Sequence, residues 1–172
     1  NVYNEKREVP FVFTRPLGKE EYPLLVMYHG FAGSKDENVG FIKIARSLAS
    51  KGIATVRMDF AGCGESKASF REFTLRNNIS DGNACLEHVL KVYPIKKNRI
   101  GLLGYSMGGA AALIETSISH PYKAVLLLAP AVMAKNELVS ETKRLVIATK
   151  VKGYHLIEWF GSKLEVSQEF YK

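Results

Sequence analysis

Four short apolar runs alternate with amphipathic stretches along the first 130 residues. PLLVMYHG (Pro23–Gly30) is a continuous apolar run closed by a turn glycine, the pattern of a strand covered on both faces. IATVRMDF (Ile53–Phe60), RIGLLGYS (Arg99–Ser106) and KAVLLLAP (Lys123–Pro130) repeat that pattern. Between them the period lengthens. FIKIARSLASKG places Phe41, Ile44, Ala45 and Leu48 on one helical face, and Gly52 stops it. Asn78 to Tyr93 brings Gly82, Leu86, Val89, Leu90 and Tyr93 to one face, with Asn78 or Ser80 as the cap and Pro94 after the end. MGGAAALIETSISH reads as a third helix, opening on glycines. The order β-α-β-α-β-α-β, with each strand buried and each crossover long enough for a helix, specifies a parallel sheet with helices on both faces. VPFVFTRP near the start adds an antiparallel edge strand. No internal repeat or low-complexity segment is present.

The pattern changes after Pro130. Leu138, Leu145, Val146 and Thr149 suit one amphipathic helix, Leu156, Ile157, Trp159 and Phe160 a second element, and Phe170 and Tyr171 end a third. Two readings are open: helices that complete the domain, or a helical cap over a site. The chain divides into an α/β core over residues 1–134 and a tail over 135–172, which in the second reading is a helical cap or lid segment.

Composition narrows the class. The chain has 172 residues, 47% hydrophobic and 24% charged, as expected for one globular domain. Its formal net charge of +7 comes from scattered Lys and Arg, with no basic stripe interleaved with aromatics, so nucleic-acid binding is not expected. The longest apolar run, Ala124 to Ala134, is broken by Pro130 and too short to span a bilayer. No membrane partner is expected, and the polar start NVYNEKREVP does not read as a signal peptide. Cys63 and Cys85 make no disulfide framework; two free thiols suit a reducing, cytoplasmic compartment. No His, Cys, Asp or Glu cluster has metal-ligand spacing.

The candidate chemistry sits in GLLGYSMGGAA. Gly104-Tyr105-Ser106-Met107-Gly108 is a G-x-S-x-G between an apolar strand and a small-residue helix. That context puts Ser106 on a sharp strand-to-helix turn above the carboxyl edge of the sheet, where open α/β sheets bind ligands. Flanking glycines suit such a turn because side chains there would strike the neighbouring strand and helix. Ser106 is then a candidate nucleophile, and the Met107 amide at the helix N-terminus a candidate oxyanion donor. The plain alternative is a tight turn with Ser as an N-cap. A second amide is expected from the loop after the first strand, where Phe31 follows His29-Gly30; Gly30 lets backbone approach a substrate carbonyl. His29 reads either as a base or as a loop-shaping residue, and the loop-shaping reading is preferred because the base in this architecture comes from a later loop.

Several of these segments together resemble the α/β-hydrolase superfamily, in particular serine esterases of the bacterial cinnamoyl (feruloyl) esterase type. HGFAGSKDE, VRMDFAGCGES, GYSMGG, VLLLAPA and the tail ending LEVSQEFYK carry the resemblance over nearly the whole chain. It implies an ester hydrolase that acylates Ser106, acts on a small-molecule ester and needs no cofactor. It also implies that Asp59, Gly62, Gly64 and Ser66 shape the turn beside the site rather than act in catalysis.

The resemblance further implies a triad in the chain order Ser, Asp or Glu, His. After Ser106 the remaining histidines are His120, about 18 Å away at the foot of the elbow helix by its length, and His155 in the cap segment. Neither is well placed. The expectation is a core lacking its last two βα units, about 60–70 residues, with the catalytic Asp and His in sequence after Lys172. The alternatives are an inactive binding or assembly module and a serine-peptidase relative. An uncovered sheet edge would favour self-association in either case.

Overall fold

The computed structural model describes residues 1–5, 7–18, 20–118, 121–132, 149–151 and 154–171. A short hairpin, β1 (Val2–Asn4) and β2 (Arg7–Val9), precedes the main sheet. The sheet is built from β3 (Phe11–Thr14), β4 (Tyr22–Tyr28), β5 (Ala54–Met58), β6 (Ile95–Tyr105) and β7 (Ala124–Leu128) in the spatial order β3-β5-β4-β6-β7. β4, β5, β6 and β7 are parallel, and β3 pairs antiparallel with β5 at one edge. The crossovers carry α1 (Gly40–Ser50), α2 (Leu75–Val92) and α3 (Met107–Ile118). This is the doubly covered sheet that the apolar runs specify.

Strand alternation sends successive side chains to opposite faces, so one continuous apolar run serves two cores. Leu24, Val26 and Tyr28 of β4 join Val56, Leu102, Leu86 and Val89 in the larger core, with α2 and α3. Leu25 and Met27 face the other way, with Leu103, against Phe41, Ile44 and Leu48 of α1. Among the described residues no helix is long and apolar enough to cross a membrane.

Three expectations need correction. First, α2 starts a turn earlier than Asn78: Thr74 is its cap, its hydroxyl accepting the Asn77 amide at 3.1 Å. Asn78 is instead buried inside the helix, and Ser80 bonds Asn4. Second, β7 is not a buried strand. Val125, Leu126 and Leu128 are 41%, 45% and 42% exposed, since β7 pairs with β6 on one side and, among the described residues, with no strand on the other.

Third, the tail is not helical where it is described. β8 (Thr149–Val151), β9 (Tyr154–Trp159) and β10 (Ser162–Ser167) form a three-stranded antiparallel sheet, followed by one 3₁₀ turn over Gln168–Tyr171. The reason is local. Lys163, Leu164, Glu165 and Val166 alternate with period two, and Phe160-Gly161, at φ 46° and 79°, makes the tight turn of a hairpin. Ile157 and Val166 are fully buried in the larger core of the main sheet. The helix expected from Leu138, Leu145 and Val146, and the boundary at residue 134, lie outside the described residues.

Candidate active site

Ser106 occupies the single-residue turn between β6 and α3 with φ of 52°, a left-handed backbone that a non-glycine residue rarely adopts. The surroundings over-determine this conformation. The Ser106 amide donates to the Leu128 carbonyl at 2.9 Å, and its own carbonyl accepts from Gly109, Ala110 and Ala131 at 2.9–3.3 Å. The turn is thereby bound to the end of β7 and to the first turn of α3. Gly104 and Gly108 permit the close approach: a Cβ on Gly104 would overlap the backbone of Gly108 and Gly109, and one on Gly108 the carbonyls of Tyr28 and His29. Those contacts bring the end of β4 against the start of α3.

Ser106 lines a cavity of about 740 Å³ together with Gly30, Phe31, Met107, Tyr105 and Trp159. The structure thus brings together Ser106, Phe31, Met107 and Gly30, with a hypothetical Cβ on Gly30 only 3.3 Å from that of Ser106. Among the described residues neither the Phe31 nor the Met107 amide donates a hydrogen bond, and both residues line the cavity.

His29 has the loop-shaping surroundings and not those of a base. It is fully buried at the end of β4. Its Nε2 accepts the Phe60 amide at 3.0 Å, which leaves the proton on Nδ1, donated to the Gly30 carbonyl at 2.8 Å. Burial lowers its pKa to about 4, so the ring is neutral at pH 7. The carbonyl of Gly30 also accepts the Gly33 amide at 3.2 Å. Because C=O and N–H of one peptide point in opposite directions, pinning the Gly30 carbonyl fixes the direction of the Phe31 N–H.

Asp59 is likewise structural. Its fully buried carboxylate accepts the amides of Lys35 and Glu65 and the Lys35 ammonium, at 2.7–2.9 Å. Gly64, at φ 54°, leaves no room for a Cβ beside that carboxylate. The loop after β5 and the loop after β4 are joined by this ion pair, by a second one from Lys35 to Glu65 at 3.2 Å and by the Phe60–His29 bond. Both cysteines are buried free thiols; burial pushes Cys63 up to about 12, which keeps it protonated and unreactive.

Of the remaining histidines, His155 lies in β9, paired in register with Lys150 and Val166 and outside the cavity lining. His120 lies outside the described residues. Among the described residues no histidine lines the cavity with Ser106. The aromatics of the tail divide. Trp159 and Phe160 line the cavity, Trp159 packing edge-on to Phe31 at 5.1 Å, while Tyr154 receives the Arg71 guanidinium on its ring face at 3.7 Å. Sequence reasoning gave no role to Glu37, which also lines the cavity and accepts the Gly30 amide at 2.7 Å. Its position in a polar loop carried no periodic signal.

Sheet order, elbow and helix placement define an α/β-hydrolase. The profile of the family described as serine aminopeptidase, S33 matches residues 20–167, and the chain belongs to that family. Among solved structures, Est1E from Butyrivibrio proteoclasticus, determined with ferulic acid bound, superposes with a TM-score of 0.76 at 22% identity, over 95% of this chain and 66% of that one. A putative hydrolase from Agrobacterium vitis S4 gives 0.69 at 21% identity, over 96% and 64%. An uncharacterised 31.7 kDa Escherichia coli protein from the traX-finO intergenic region is 31% identical over 101 residues, 59% of this chain and 35% of that protein. The chain thus spans under two thirds of the length of these relatives.

Proposed function

We propose that the protein carrying this chain is a serine hydrolase of small carboxylic esters, of the cinnamoyl or feruloyl esterase kind, with Ser106 as the acyl-forming nucleophile. The observation that carries the reading is Ser106 held at φ 52° on the wall of a 740 Å³ cavity that it shares with two undonated amides. In the proposed reaction Ser106 Oγ attacks the ester carbonyl carbon and passes its proton to a general base. The carbonyl oxygen becomes an oxyanion accepting from the Phe31 and Met107 N–H groups. Collapse expels the alcohol, which takes the proton back, and water then releases the acid from the acyl-enzyme by the same route. The histidine base and its carboxylate partner are proposed to lie outside these 172 residues. No cofactor enters this scheme. The setting proposed is cytoplasmic.

The family description favours a second reading, cleavage of peptides at an amino terminus by the same acyl-enzyme chemistry. The full-length protein is assayed on p-nitrophenyl butyrate, a cinnamoyl ester and an aminoacyl p-nitroanilide, beside Ser106→Ala. Ester hydrolysis lost by at least about 10³-fold in Ser106→Ala is expected. Cleavage of the anilide alone replaces the esterase reading with the peptidase one. No turnover of any substrate by the full-length protein, together with self-association, favours an assembly module.

A further inference from the structure

We propose that Glu37 is a positioning residue for the oxyanion site. Its carboxylate locks the loop after β4 so that the Phe31 N–H faces the cavity, and this inference rests on the reading of Phe31 as an oxyanion donor.

Two peptides flank Gly30, and each is pinned by a different side chain. The Gly30–Phe31 peptide is held through its carbonyl by His29 and Gly33. The His29–Gly30 peptide is held through its N–H, which donates to Glu37 Oε1 at 2.7 Å. A peptide flip requires concerted rotation about the bonds on either side of it. Loss of the Glu37 bond frees the His29–Gly30 peptide to rotate about Gly30, which strains the bonds of the Gly30 carbonyl to His29 and Gly33 and with them the direction of the Phe31 N–H. The Glu37 bond is short and its residue half-buried, which limits competition from water.

The local structure is built around that bond. Glu37, Asn38 and Val39 are three successive non-glycine residues with left-handed φ, 42°, 49° and 74°. Such residues are each disfavoured. The run carries the chain from the loop into α1 while its first side chain reaches back seven residues to Gly30. Gly33 leaves the space: a Cβ there would strike the Glu37 carboxylate. The neighbours of Glu37 are fixed independently, since Lys35 binds Asp59 and Asp36 accepts from Arg57 at 3.2 Å. Among the described residues lining the cavity, Glu37 is the one charged side chain. A negative charge beside a developing oxyanion opposes it, so the carboxylate's contribution is its geometry as an acceptor rather than its charge.

This separates reach from charge in a test. In the full-length protein, Glu37→Gln keeps an acceptor of the same length without charge, Glu37→Asp keeps the charge but not the reach, and Glu37→Ala keeps neither. Ester kcat and KM are measured, with the inhibition constant of a trifluoromethyl ketone, whose bound form mimics the oxyanion, and the melting temperature. Expected are a 10–100-fold fall in kcat for Ala and Asp, an equal weakening of the ketone, unchanged KM, and a Gln variant within about threefold of wild type. If Ala does not fold, the Asp and Gln pair decides. A normal kcat in Asp and Ala while Ser106→Ala is inactive overturns the role of Glu37 alone. A Gln variant as impaired as Ala, at an unchanged melting temperature, overturns it too. Full activity in Ser106→Ala overturns the reading on which the inference rests.

Discussion

Two regions border the cavity and are held in opposite ways. The loop after β4 is fixed by directional polar bonds: His29 to Gly30 and Phe60, Glu37 to Gly30, Lys35 to Asp59. The small sheet β8-β9-β10 is held by apolar packing, with Ile157 and Val166 buried in the larger core and Trp159 against the ring of Phe31. That ring meets Trp159 at 5.1 Å, Phe70 at 5.4 Å and Phe170 at 5.5 Å. One exposed ion pair, Arg71 to Glu165 at 2.8 Å, adds to this. Hydrogen bonds fix angles, whereas ring contacts tolerate sliding. The first region therefore suits groups that must meet a reacting atom, and the second suits groups that shape a substrate.

The sharpest way to break this contrast is to remove the ion pair under the polar loop. Asp59→Ala leaves the Lys35 ammonium without its buried partner, and a loss of about 3–5 kcal/mol in urea unfolding is expected. A loss under 1 kcal/mol would mean that the loop is not held as described.

Next in size is a pH effect through His29. Its folded pKa, about 4, lies below the ordinary 6.5, so the unfolded chain binds the extra proton first as pH falls. Its stabilising contribution is present above pH 6.5 and is lost progressively down to pH 4, by about 3 kcal/mol in all. The half-buried carboxyl of Glu37 and the buried ones of Asp81 and Glu115, all raised by burial, act with the opposite sign. The His29 share is therefore read as the difference in melting temperature between wild type and His29→Gln. That difference should shrink between pH 7 and pH 4.

On the aromatic side, Trp159→Ala is expected to raise KM for an aromatic ester by up to about tenfold while kcat changes little. A fall in kcat instead would place Trp159 with the positioning groups. The smallest effect is expected from Arg71→Met. Its ion pair and its contact with Tyr154 are solvent-exposed, so the melting temperature should not move measurably in 0.15 M salt.

The main sheet was legible because apolar runs and helical periods are local. Pro23–Gly30 and Arg99–Ser106 could be placed from eight residues each, and the elbow glycines marked the turn between strand and helix. Ser106, Gly30, Phe31 and Met107 share one cavity because the parallel register of β4 and β6 puts Tyr28 opposite Gly104. Residues 154–167 form strands where helices were expected, because bulky residues were assigned by cluster, although the alternation around Leu164 and Val166, with Gly161 at the turn, held the strand signal.

The chain's own order of apolar and polar residues determined the strands, the three helices and the strained turn under Ser106, since each depends on neighbours within a few positions. Tertiary structure alone decided that β7 lies beside β6, that Trp159 meets Phe31, and that Glu37 rather than a nearer residue holds the Gly30 amide. Those outcomes depend on strand order, on register and on a left-handed loop. They set distances between residues whose separation along the chain says nothing about where they meet.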